Sequence, residues 1–338
     1  MKVCVIGKGR AVMENIPVPT PGKNDVLISM KACGICGTDL EKIAGNYPSS
    51  ILGHEAVGIV AETGKDVENI SVGERVFPHH HVPCYECHFC LNGSETMCPH
   101  FSKSNIHPGG LAEFFIMPAW NIRHGGLFRL PASVTFRTGT LIEPLACVIK
   151  GLEKLHLNEE STVVVIGAGP VGMLQIYALR ETGVRNILAM DVAEERCKFA
   201  EELGASAAGQ PGESMLKAVM DLTEGRGADS AVVATGHPQA TETGIASLRK
   251  GGRLLQFGLP HPGTRLIHDT SEMFTREIQL LNTYSGIERD VGKAIEMLAA
   301  SGSRADAIIS HSFQLERAPE AFELAEKING SRKIIIEN

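Results

Sequence analysis

The sequence predicts an α/β protein of two domains, in which an irregular β-rich part is combined with a doubly wound parallel sheet. The chain has 338 residues, more than one hydrophobic core usually organises. Short β-branched runs separated by Gly and Pro fill the first part, up to about residue 145. From about residue 160, apolar runs alternate with helical segments of about 10 to 15 residues, which is typical of a parallel sheet covered on both faces.

The first part has the pattern of short strands joined by loops. The N-terminal segment MKVCVIGKGR has only a short apolar patch, so we interpret it as the first strand and not as a signal peptide. Further strands are predicted in VLISMKACGIC, HEAVGIVAETG and ERVFPHHHV. We therefore expect an irregular β-domain whose loops carry polar chemistry.

The second part alternates regularly between strand and helix. Strands are predicted in STVVVIG, NILAMD, ADSAVVATG, RLLQFGL and EIQLLNTY. Helices are predicted in PVGMLQIYALRETG (ending at Gly183), AEERCKFAEELG, ESMLKAVMDLTEG and TETGIASLRKGG. Two further helices, DVGKAIEMLAAS and APEAFELAEKI, precede a closing strand, RKIIIEN. We expect this tail to return to the first domain.

The composition argues against several classes of partner. Hydrophobic residues make up 43% and charged residues 21%, which is ordinary for a soluble globular protein. A net charge of −7 with mixed signs argues against nucleic acid as the main partner. No apolar run reaches the roughly 18 residues of a membrane span, so no membrane partner is expected. The default location is the cytoplasm, where the nine cysteines would be thiols or metal ligands.

A glycine-rich turn joins the first strand of the second part to its helix. The turn has the sequence Gly167-Ala-Gly169-Pro170-Val171-Gly172. Gly167 permits a tight turn, Gly169 lets the backbone approach a pyrophosphate, and Gly172 allows close packing of helix on strand. The helix N-terminus offers free N–H groups and the positive end of its dipole to phosphates. We interpret the turn as a dinucleotide-binding loop; the alternative is a structural βα turn.

Residues after the later strands extend this predicted coenzyme site. Asp191 follows 19 residues after Gly172, at the end of the second strand. A carboxylate there binds ribose hydroxyls and repels a 2′-phosphate, which favours NAD over NADP. Arg196, one helical turn further on, would cover the adenine or soften that preference. The crevice of such a sheet opens at the carboxyl ends of its strands, where two more loops carry Thr235, Gly236, Gly258 and Leu259.

Four cysteines are crowded into one loop of the first part. Cys84, Cys87, Cys90 and Cys98 follow one another at spacings that put four thiolates in about 15 residues. Four sulfurs close a tetrahedral Zn²⁺ shell with no open position, which is the arrangement of a structural site. An iron–sulfur cluster uses the same ligands, but nothing else in the chain suggests electron transfer.

A second candidate metal site has mixed ligands. Cys36 lies in ACGICGTD, and His54 and Glu55 lie in GHEAVG. One thiolate, one imidazole and one carboxylate leave a fourth position for water or substrate, as a catalytic zinc requires. Asp39 is a candidate partner for the second nitrogen of His54. Alternatively, His54 is a buried core histidine and Glu55 a surface carboxylate.

These residues together resemble the medium-chain zinc-dependent alcohol dehydrogenase family. The four-cysteine segment has the family's spacing, and the glycine-rich turn falls where the family places it. The resemblance extends from the N-terminal strand to at least the last strand of the parallel sheet. The family signature G-H-E-x2-G-x5-G-x2-V is matched by Gly53, His54, Glu55, Gly58, Gly64 and Val67.

The resemblance implies a GroES-like catalytic domain and a Rossmann coenzyme domain inserted into it. The catalytic domain would comprise residues 1–145 and 286–338, with a structural zinc lobe at about 80–100. The NAD-binding domain would comprise residues 146–285. Homo-oligomers, tetramers or dimers, are expected from the family.

The resemblance also assigns roles at the mixed-ligand site. It selects Cys36 as the catalytic zinc cysteine and leaves Cys33 as a core residue. Glu143 lies where ethanol-type relatives have a second cysteine ligand. A glutamate there is similar to the polyol, threonine and glucose dehydrogenase branches, where it is a transient ligand or holds the zinc-bound water. Thr38 matches the hydroxyl that passes the alcohol proton outward, but Glu41 stands where many relatives continue that relay with histidine.

The function implied by the resemblance is NAD-linked oxidation of a secondary alcohol to the ketone, with one catalytic and one structural zinc per chain. The substrate would be a small molecule, and we favour a sugar alcohol or related polyol. An L-threonine or other β-hydroxy acid 3-dehydrogenase is the alternative. A non-catalytic cofactor-binding protein and a zinc-free reductase are the other readings, and either would be expected to lack Cys36, His54 or Glu55.

Several polar residues have a less definite place in this interpretation. Tyr47 and Trp120 are candidates for the substrate pocket. Arg289 would reach a substrate phosphate, but we interpret it as a solvated arginine at a helix start. The run at residues 79–81, three histidines beside the cysteine loop, is interpreted as solvated because histidine runs in loops are usually hydrated.

Overall fold

The computed structural model describes residues 1–47, 49–327 and 331–338. The chain forms two compact units, one built from Met1–Ala146 together with Gly286–Asn338 and the other from Cys147–Ser285. The predicted α/β fold class is confirmed: the first unit is rich in β-strands, and the second contains a parallel sheet covered by helices. No helix within the described ranges is long and apolar enough to cross a membrane.

The first unit begins with seven short strands and five helices. The strands are β1 Lys2–Gly7, β2 Arg10–Asn15, β3 Val26–Gly34, β4 Glu55–Thr63, β5 Arg75–Pro78, β6 Phe114–Met117 and β7 Leu127–Arg129. The helices are α1 Gly37–Ile43, α2 His88–Leu91, α3 Ala119–Arg123, α4 Phe136–Gly139 and α5 Ile142–Glu153. Helix α5 runs from the first unit into the second.

The second unit alternates strand and helix, as the sequence pattern predicts. Its strands are β8 Thr162–Ile166, β9 Asn186–Met190, β10 Ala207–Gly209, β11 Ala228–Val233, β12 Leu248–Gln256 and β13 Gln279–Asn282. Its helices are α6 Pro170–Glu181, α7 Glu194–Leu203, α8 Glu213–Leu222, α9 Pro238–Ser247 and α10 Thr270–Thr275. The tail then adds α11 Glu288–Ser301, β14 Ile309–Gln314, α12 Ala318–Ala325 and β15 Lys333–Glu337.

The tail completes the main sheet of the first unit. That sheet has the order β14-β15-β3-β4-β5-β7, and β6 also pairs with β3. Strand β15 runs antiparallel to β3, with Ile336 opposite Cys33, while β14 runs parallel to β15. The long central strand β3 is almost wholly buried because other strands pair with both of its edges. Pairing of β3 with β4 puts Gly34 opposite Glu55, which brings residues 34–36 to the start of β4.

The sheet of the second unit is parallel throughout. Its order is β10-β9-β8-β11-β12-β13, so the chain reverses its direction of winding at β8. Strand β8 is fully buried and consists of Thr, Val and Ile, which suit a strand covered on both faces. Its carboxyl end lies beside those of β9 and β11. Ligands of such sheets bind at this edge, where the strand order reverses.

One helix of the second part is shorter than the sequence pattern predicts. The segment TETGIASLRKGG was expected to be helical throughout, but α9 ends at Ser247 and β12 begins at Leu248. Leu248 pairs with Ala228 of the neighbouring strand, and Gly251 has a φ of 70° that no helix interior accepts. Pairing in the sheet therefore overrides the helical spacing of Leu248 and the residues that follow it.

Candidate active site

Three candidate metal ligands lie close together at the point where β3 ends and β4 begins. One ligand atom each from Cys36, His54 and Glu55 lie within 4.8 Å of one another. Cys36 precedes the first turn of α1, and Glu55 opens β4 opposite Gly34. A Cβ on Gly34 would overlap the Glu55 carboxylate, so glycine is required at this point of the strand. The predicted ligands are thus brought together by the pairing of β3 with β4.

Asp39 holds this group in place through both of its carboxylate oxygens. Its Oδ2 accepts from the Cys36 backbone N–H at 3.3 Å, and its Oδ1 accepts from the Gly53 backbone N–H at 3.2 Å. The same Oδ1 lies 3.4 Å from His54 Nδ1, which leaves Nε2 for a metal. Burial by itself would raise the pKa of Asp39, but the attraction of His54 and of Lys42 lowers it to about 2. Asp39 is therefore an anion at neutral pH.

Glu55 is paired with a lysine from the far end of the chain. Lys333, in β15, forms an ion pair with Glu55 Oε2 and donates to the Ile35 carbonyl at 3.0 Å. Glu55 Oε1 is buried and has no hydrogen-bond partner among the described residues, which suits a carboxylate oxygen kept for a metal. Burial raises the pKa of Glu55, opposed by the charges of Lys333 and His54 and reinforced by that of Glu143. Lys333 was not among the site residues predicted from the sequence.

Glu143 lies outside the group of three but close to it. It is buried in the first turn of α5, and its charge acts on both Glu55 and Lys333. Thr38 is half-buried in the first turn of α1. Glu41 accepts a hydrogen bond from Asn46 Nδ2 at 2.8 Å.

Two of the three histidines, His79 and His80, are buried and His81 is half-buried, so the prediction that the run is solvated was wrong for the first two. His79 is 1% exposed and its Nδ1 lies 2.6 Å from Glu288 Oε1 of helix α11. His80 is 6% exposed, and its ring lies 5.0 Å from that of His54. Asn121 Nδ2 donates to the carbonyls of both residues, at 3.0 and 2.9 Å. These bonds replace the water that a run of histidines in a loop would otherwise need.

His80 therefore adds a polar group beside the candidate ligands. Burial and the neighbouring histidines hold the pKa of His80 well below its usual range, so the ring is neutral. Its Nδ1 has no hydrogen-bond partner in the part of the chain that the structure describes. A neutral, buried imidazole with an unused nitrogen is suited to a hydroxyl group.

Three other polar residues considered in the sequence differ in their positions and contacts within the protein. Trp120 stacks between the rings of His100 and His124, and its indole N–H donates to the Val82 carbonyl at 3.1 Å. Tyr47 is half-buried in the loop that follows α1. Arg289 is mostly exposed at the start of α11, where it pairs with its neighbour Asp290.

The four-cysteine lobe has the dimensions of a closed zinc site. The Sγ atoms of Cys84 and Cys98 are 3.5 Å apart, as are those of Cys87 and Cys90, and those of Cys84 and Cys90 are 3.9 Å apart. Sulfurs at the corners of a zinc tetrahedron are about 3.8 Å apart, given Zn–S bonds of about 2.3 Å. A disulfide would need about 2.05 Å. The lobe therefore fits a metal and not a disulfide pair.

Local bonds favour the thiolate form of Cys84, whereas burial raises the pKa of Cys90 to about 12; other contacts attach the lobe to the tail. A hydrogen bond from the Glu86 backbone N–H lowers the pKa of Cys84 to about 7, although burial opposes the shift. Ile287 packs against the cysteines, and the hydroxyl of Tyr85 donates to Glu288. Because Glu288 also binds His79, one side chain of the tail joins the lobe to the histidine run.

The glycine-rich turn of the second unit is built as the sequence suggests. Gly167 has a φ of 93°, and a Cβ on Gly172 would overlap the Gly167 carbonyl. Gly169 precedes the first turn of α6, with Pro170 at the first helical position. A Cβ on Gly169 would come near only the tip of Arg196 among the described residues, so the backbone at this point is open to a ligand. Val171 is half-buried in the same turn.

Asp191 is fixed beside this turn. Its Oδ2 accepts from the Ala168 backbone N–H at 2.7 Å, and its Oδ1 accepts from the Ala193 backbone N–H at 2.9 Å. Arg196 Nη1 lies 3.8 Å from Asp191 Oδ2. The Nε atom of Arg196 is buried and has no hydrogen-bond partner within the described ranges. The structure thus places an anchored carboxylate and a guanidinium together at the glycine-rich turn.

The two later loops lie against each other at the same edge of the sheet. Gly258 and Gly236 each face the backbone of the other loop so closely that a Cβ on either would overlap it. Gln256 Nε2 donates to the carbonyls of Thr235 and Gly258, at 3.1 and 2.7 Å, which binds the loops together. Leu259 is 68% exposed at their tip.

Comparison with known proteins identifies the family. Residues 22–126 match the alcohol dehydrogenase GroES-like domain, and residues 170–300 match the zinc-binding dehydrogenase family. A D-altritol 5-dehydrogenase of Agrobacterium fabrum is 30% identical over 92% of this chain and 91% of its own length. A sorbitol dehydrogenase of Halalkalibacterium halodurans is 31% identical over 94% of this chain and 92% of its own. The chain belongs to the medium-chain zinc-dependent alcohol dehydrogenase family.

A solved structure of this family has the same fold over the whole chain. The crystal structure of a zinc-binding dehydrogenase from Sinorhizobium meliloti 1021, bound to NADP, has a TM-score of 0.91 and 26% identity. The alignment covers 100% of this chain and 99% of that chain. The resemblance predicted from the motifs is therefore confirmed. As a member of the medium-chain alcohol dehydrogenases, the protein is an oxidoreductase that acts on CH–OH groups.

Proposed function

We propose that this dehydrogenase oxidises a secondary alcohol of a polyol to the ketone, with NAD as the acceptor and two zinc ions in each chain. The observation that carries the proposal is the convergence of Cys36, His54 and Glu55 on one point, with Glu143 close by. Three protein ligands leave a position for substrate, as catalytic zinc sites do. Glu143 would be the transient fourth ligand. The Cys84–Cys98 lobe would hold the second, structural ion.

Two further observations favour a polyol as substrate. The relatives named above act on D-altritol and on sorbitol, as their names state. Beside the proposed ligands, His80 offers a buried nitrogen with no partner among the described residues. A substrate with several hydroxyl groups would use such a nitrogen, whereas a simple alcohol would leave it unpaired at a cost of about 1–3 kcal/mol.

The chain's own residues would position the reactants and move the proton. When bound, zinc supplies Lewis acidity toward the alcohol oxygen and NAD accepts the carbinol hydride. Asp39 Oδ1, 3.4 Å from His54 Nδ1, would hold the His54 ring in one orientation, and Lys333 would restrain the Glu55 carboxylate. The hydroxyl of Thr38 would take the alcohol proton. Because Glu41 replaces the usual histidine, water or the coenzyme ribose would complete the proton path.

The second unit would bind NAD at the glycine-rich turn. Gly169 would let the backbone approach the pyrophosphate, while Gly167 forms the tight turn and Gly172 allows close packing of helix on strand. The N–H group of Val171, in the first turn of α6, would supply the positive helix end; Pro170 has no N–H to donate. Asp191 would bind the ribose hydroxyls and Arg196 would cover the adenine. The remaining contacts would come from Thr235, Gly258 and Leu259.

The second unit would also make the contact between copies of the chain. Strand β13 is at the edge of its sheet, and most of its residues are exposed. An open strand edge is a template for pairing with another chain. The same unit exposes large apolar side chains at Leu259, Ile267, Phe274, Leu280 and Tyr284. We therefore propose a homodimer or tetramer that acts in the cytoplasm, where free thiols persist.

The substrate is tested by a screen of the zinc-loaded protein. NAD and NADP are each combined with sugar alcohols, L-threonine, simple secondary alcohols and aldoses, and absorbance at 340 nm is followed. We expect NAD reduction with a sugar alcohol. For simple secondary alcohols kcat/KM should be at least about tenfold lower, a difference that corresponds to the loss of one hydrogen bond. Turnover of L-threonine alone would assign the chain to a different branch. Absence of turnover with every substrate would contradict the proposed activity.

The coenzyme preference is tested by Asp191→Asn. This change removes the negative charge that would bind the ribose hydroxyls and repel a 2′-phosphate. We expect the ratio of kcat/KM for NAD to that for NADP to fall about 100-fold, equivalent to a hydrogen bond to a charged group of about 3 kcal/mol. Asp229→Asn is the matched control. Asp229 also accepts a backbone N–H, from Thr162 at 2.8 Å, but at the opposite end of its strand. An unchanged ratio in Asp191→Asn would show that this residue does not select the coenzyme.

A further inference from the structure

Two lysines are buried at the candidate active site, and they pair with different carboxylates. Lys333 is 3% exposed and pairs directly with the proposed ligand Glu55. Lys42 is 9% exposed and touches no proposed ligand; its partner is Asp39. Burying an ammonium group is costly unless it is paired. The position of Lys42 therefore calls for an explanation in terms of Asp39.

Lys42 and His54 share one oxygen atom. Lys42 Nζ and His54 Nδ1 each lie 3.4 Å from Asp39 Oδ1. Lys42 Nζ also donates to the Ile51 carbonyl at 2.8 Å. This second bond fixes the ammonium in place, so it remains beside the carboxylate. Asp39 itself is fully buried, and water does not screen the two contacts.

The formal charges of the proposed ligands and of the carboxylates beside them are offset when both lysines are counted. Four negative formal charges belong to Asp39, Glu55, Glu143 and a metal-bound Cys36. A divalent cation offsets two of them, and Lys42 and Lys333 offset the other two. Asp39, Glu55 and Glu143 are all buried, so an unbalanced charge here would be expensive.

We propose that Lys42 is a positioning residue that acts on the catalytic zinc through Asp39 and His54. A carboxylate on the second nitrogen of a ligating histidine makes the imidazole a stronger donor. The ammonium of Lys42 attracts the negative charge of the same oxygen atom, and this limits how far Asp39 strengthens the imidazole as a metal donor. The zinc is consequently held less tightly and remains a stronger Lewis acid toward the substrate. This inference rests on the proposed function, because it requires zinc at Cys36, His54 and Glu55.

The test measures how fast zinc leaves the loaded protein for an excess of a chromogenic chelator. The catalytic ion is identified as the zinc that is missing from Cys36→Ser. We expect Lys42→Met to slow its release about tenfold, since partners of metal ligands change metal affinity by about 10- to 100-fold. Lys42→Arg keeps the charge and should restore the original rate within about threefold. Lys65→Met removes an exposed lysine and should leave the rate of zinc release unchanged.

A second pair of variants tests whether the effect passes through Asp39. In an Asp39→Asn background the shared anion is absent, so adding Lys42→Met should leave the release rate unchanged. Lys42→Gln keeps a donor for the Ile51 carbonyl and repeats the test if Lys42→Met folds poorly.

The outcomes separate this inference from the proposed function. Faster release or an unchanged rate in both Lys42→Met and Lys42→Gln, or an equal effect with Asp39→Asn, would overturn the role of Lys42 and leave the dehydrogenase assignment intact. If the unaltered protein holds no zinc that depends on Cys36, the proposed function fails and the inference fails with it. Slower release that requires Asp39 and is reversed by Lys42→Arg would support the inference.

Discussion

Cys36→Ser is expected to lower kcat/KM for the polyol about a thousandfold and to reduce the zinc content from two ions per chain to one. The serine hydroxyl does not ionise at neutral pH, so it does not replace the thiolate as a ligand. Losing the metal removes several kcal/mol of stabilisation of the developing charge, and about 4 kcal/mol corresponds to a thousandfold. The measurements are NAD reduction and zinc analysis of the same preparations.

Cys33→Ser is the matched control for this prediction. It makes the same chemical change three residues away, at a fully buried position of β3 that is not among the clustered ligands. We expect it to keep two zinc ions and activity within about tenfold of the unaltered protein, with some loss of stability from the buried hydroxyl. Equal losses of zinc in the two variants would show that Cys36 is not a specific ligand.

Lys333→Met is expected to lower the free energy of unfolding of the first unit by about 3–5 kcal/mol. The reason is that Glu55, which is fully buried, would lose its ion-pair partner. Urea unfolding followed by tryptophan fluorescence measures this directly. The chain has one tryptophan, Trp120, and it lies in the first unit.

An exposed ion pair of the same unit provides the control. Lys2 pairs with Glu316, and both side chains are about half exposed. Lys2→Met therefore makes the same substitution where solvent screens the charges, and we expect it to lower the free energy of unfolding far less than Lys333→Met does. A comparable cost for both variants would mean that burial of the Glu55–Lys333 pair has little effect on stability.

The features that sequence analysis identified have local signals. The four cysteines lie within one short loop, and the glycine-rich turn, its strand and its helix are continuous in the chain. Cys36 and His54 are also close in sequence, and they flank two strands that pair with each other: Cys36 follows β3 and His54 precedes β4. In each case the spacing of the residues carries the geometry, because a turn or a hairpin-like pairing joins them.

The features that it missed depend on distant pairing or on burial. Lys333 meets Glu55 only because β15 returns to the edge of β3, and no spacing relates two residues so far apart. Lys42 has the appearance of a solvated lysine on a short helix, since its burial depends on the packing of the segment around Ile51. The histidines at 79 and 80 were misjudged for a similar reason: Asn121 binds their backbone carbonyls and Glu288 binds the His79 ring, both from other parts of the chain.

The return of β15 to β3 has a consequence for the order in which the two units form during synthesis. The second unit is continuous, so all of its strands are translated before the tail is. Until β15 emerges, the first unit lacks the strand that pairs with the last residues of β3 and the counter-ion of Glu55. Domains fold as units when their chain is available. The first unit, whose synthesis starts first, is therefore completed last. Its cysteines and the end of β3 that pairs with β15 stay accessible on the nascent chain while the coenzyme-binding unit folds.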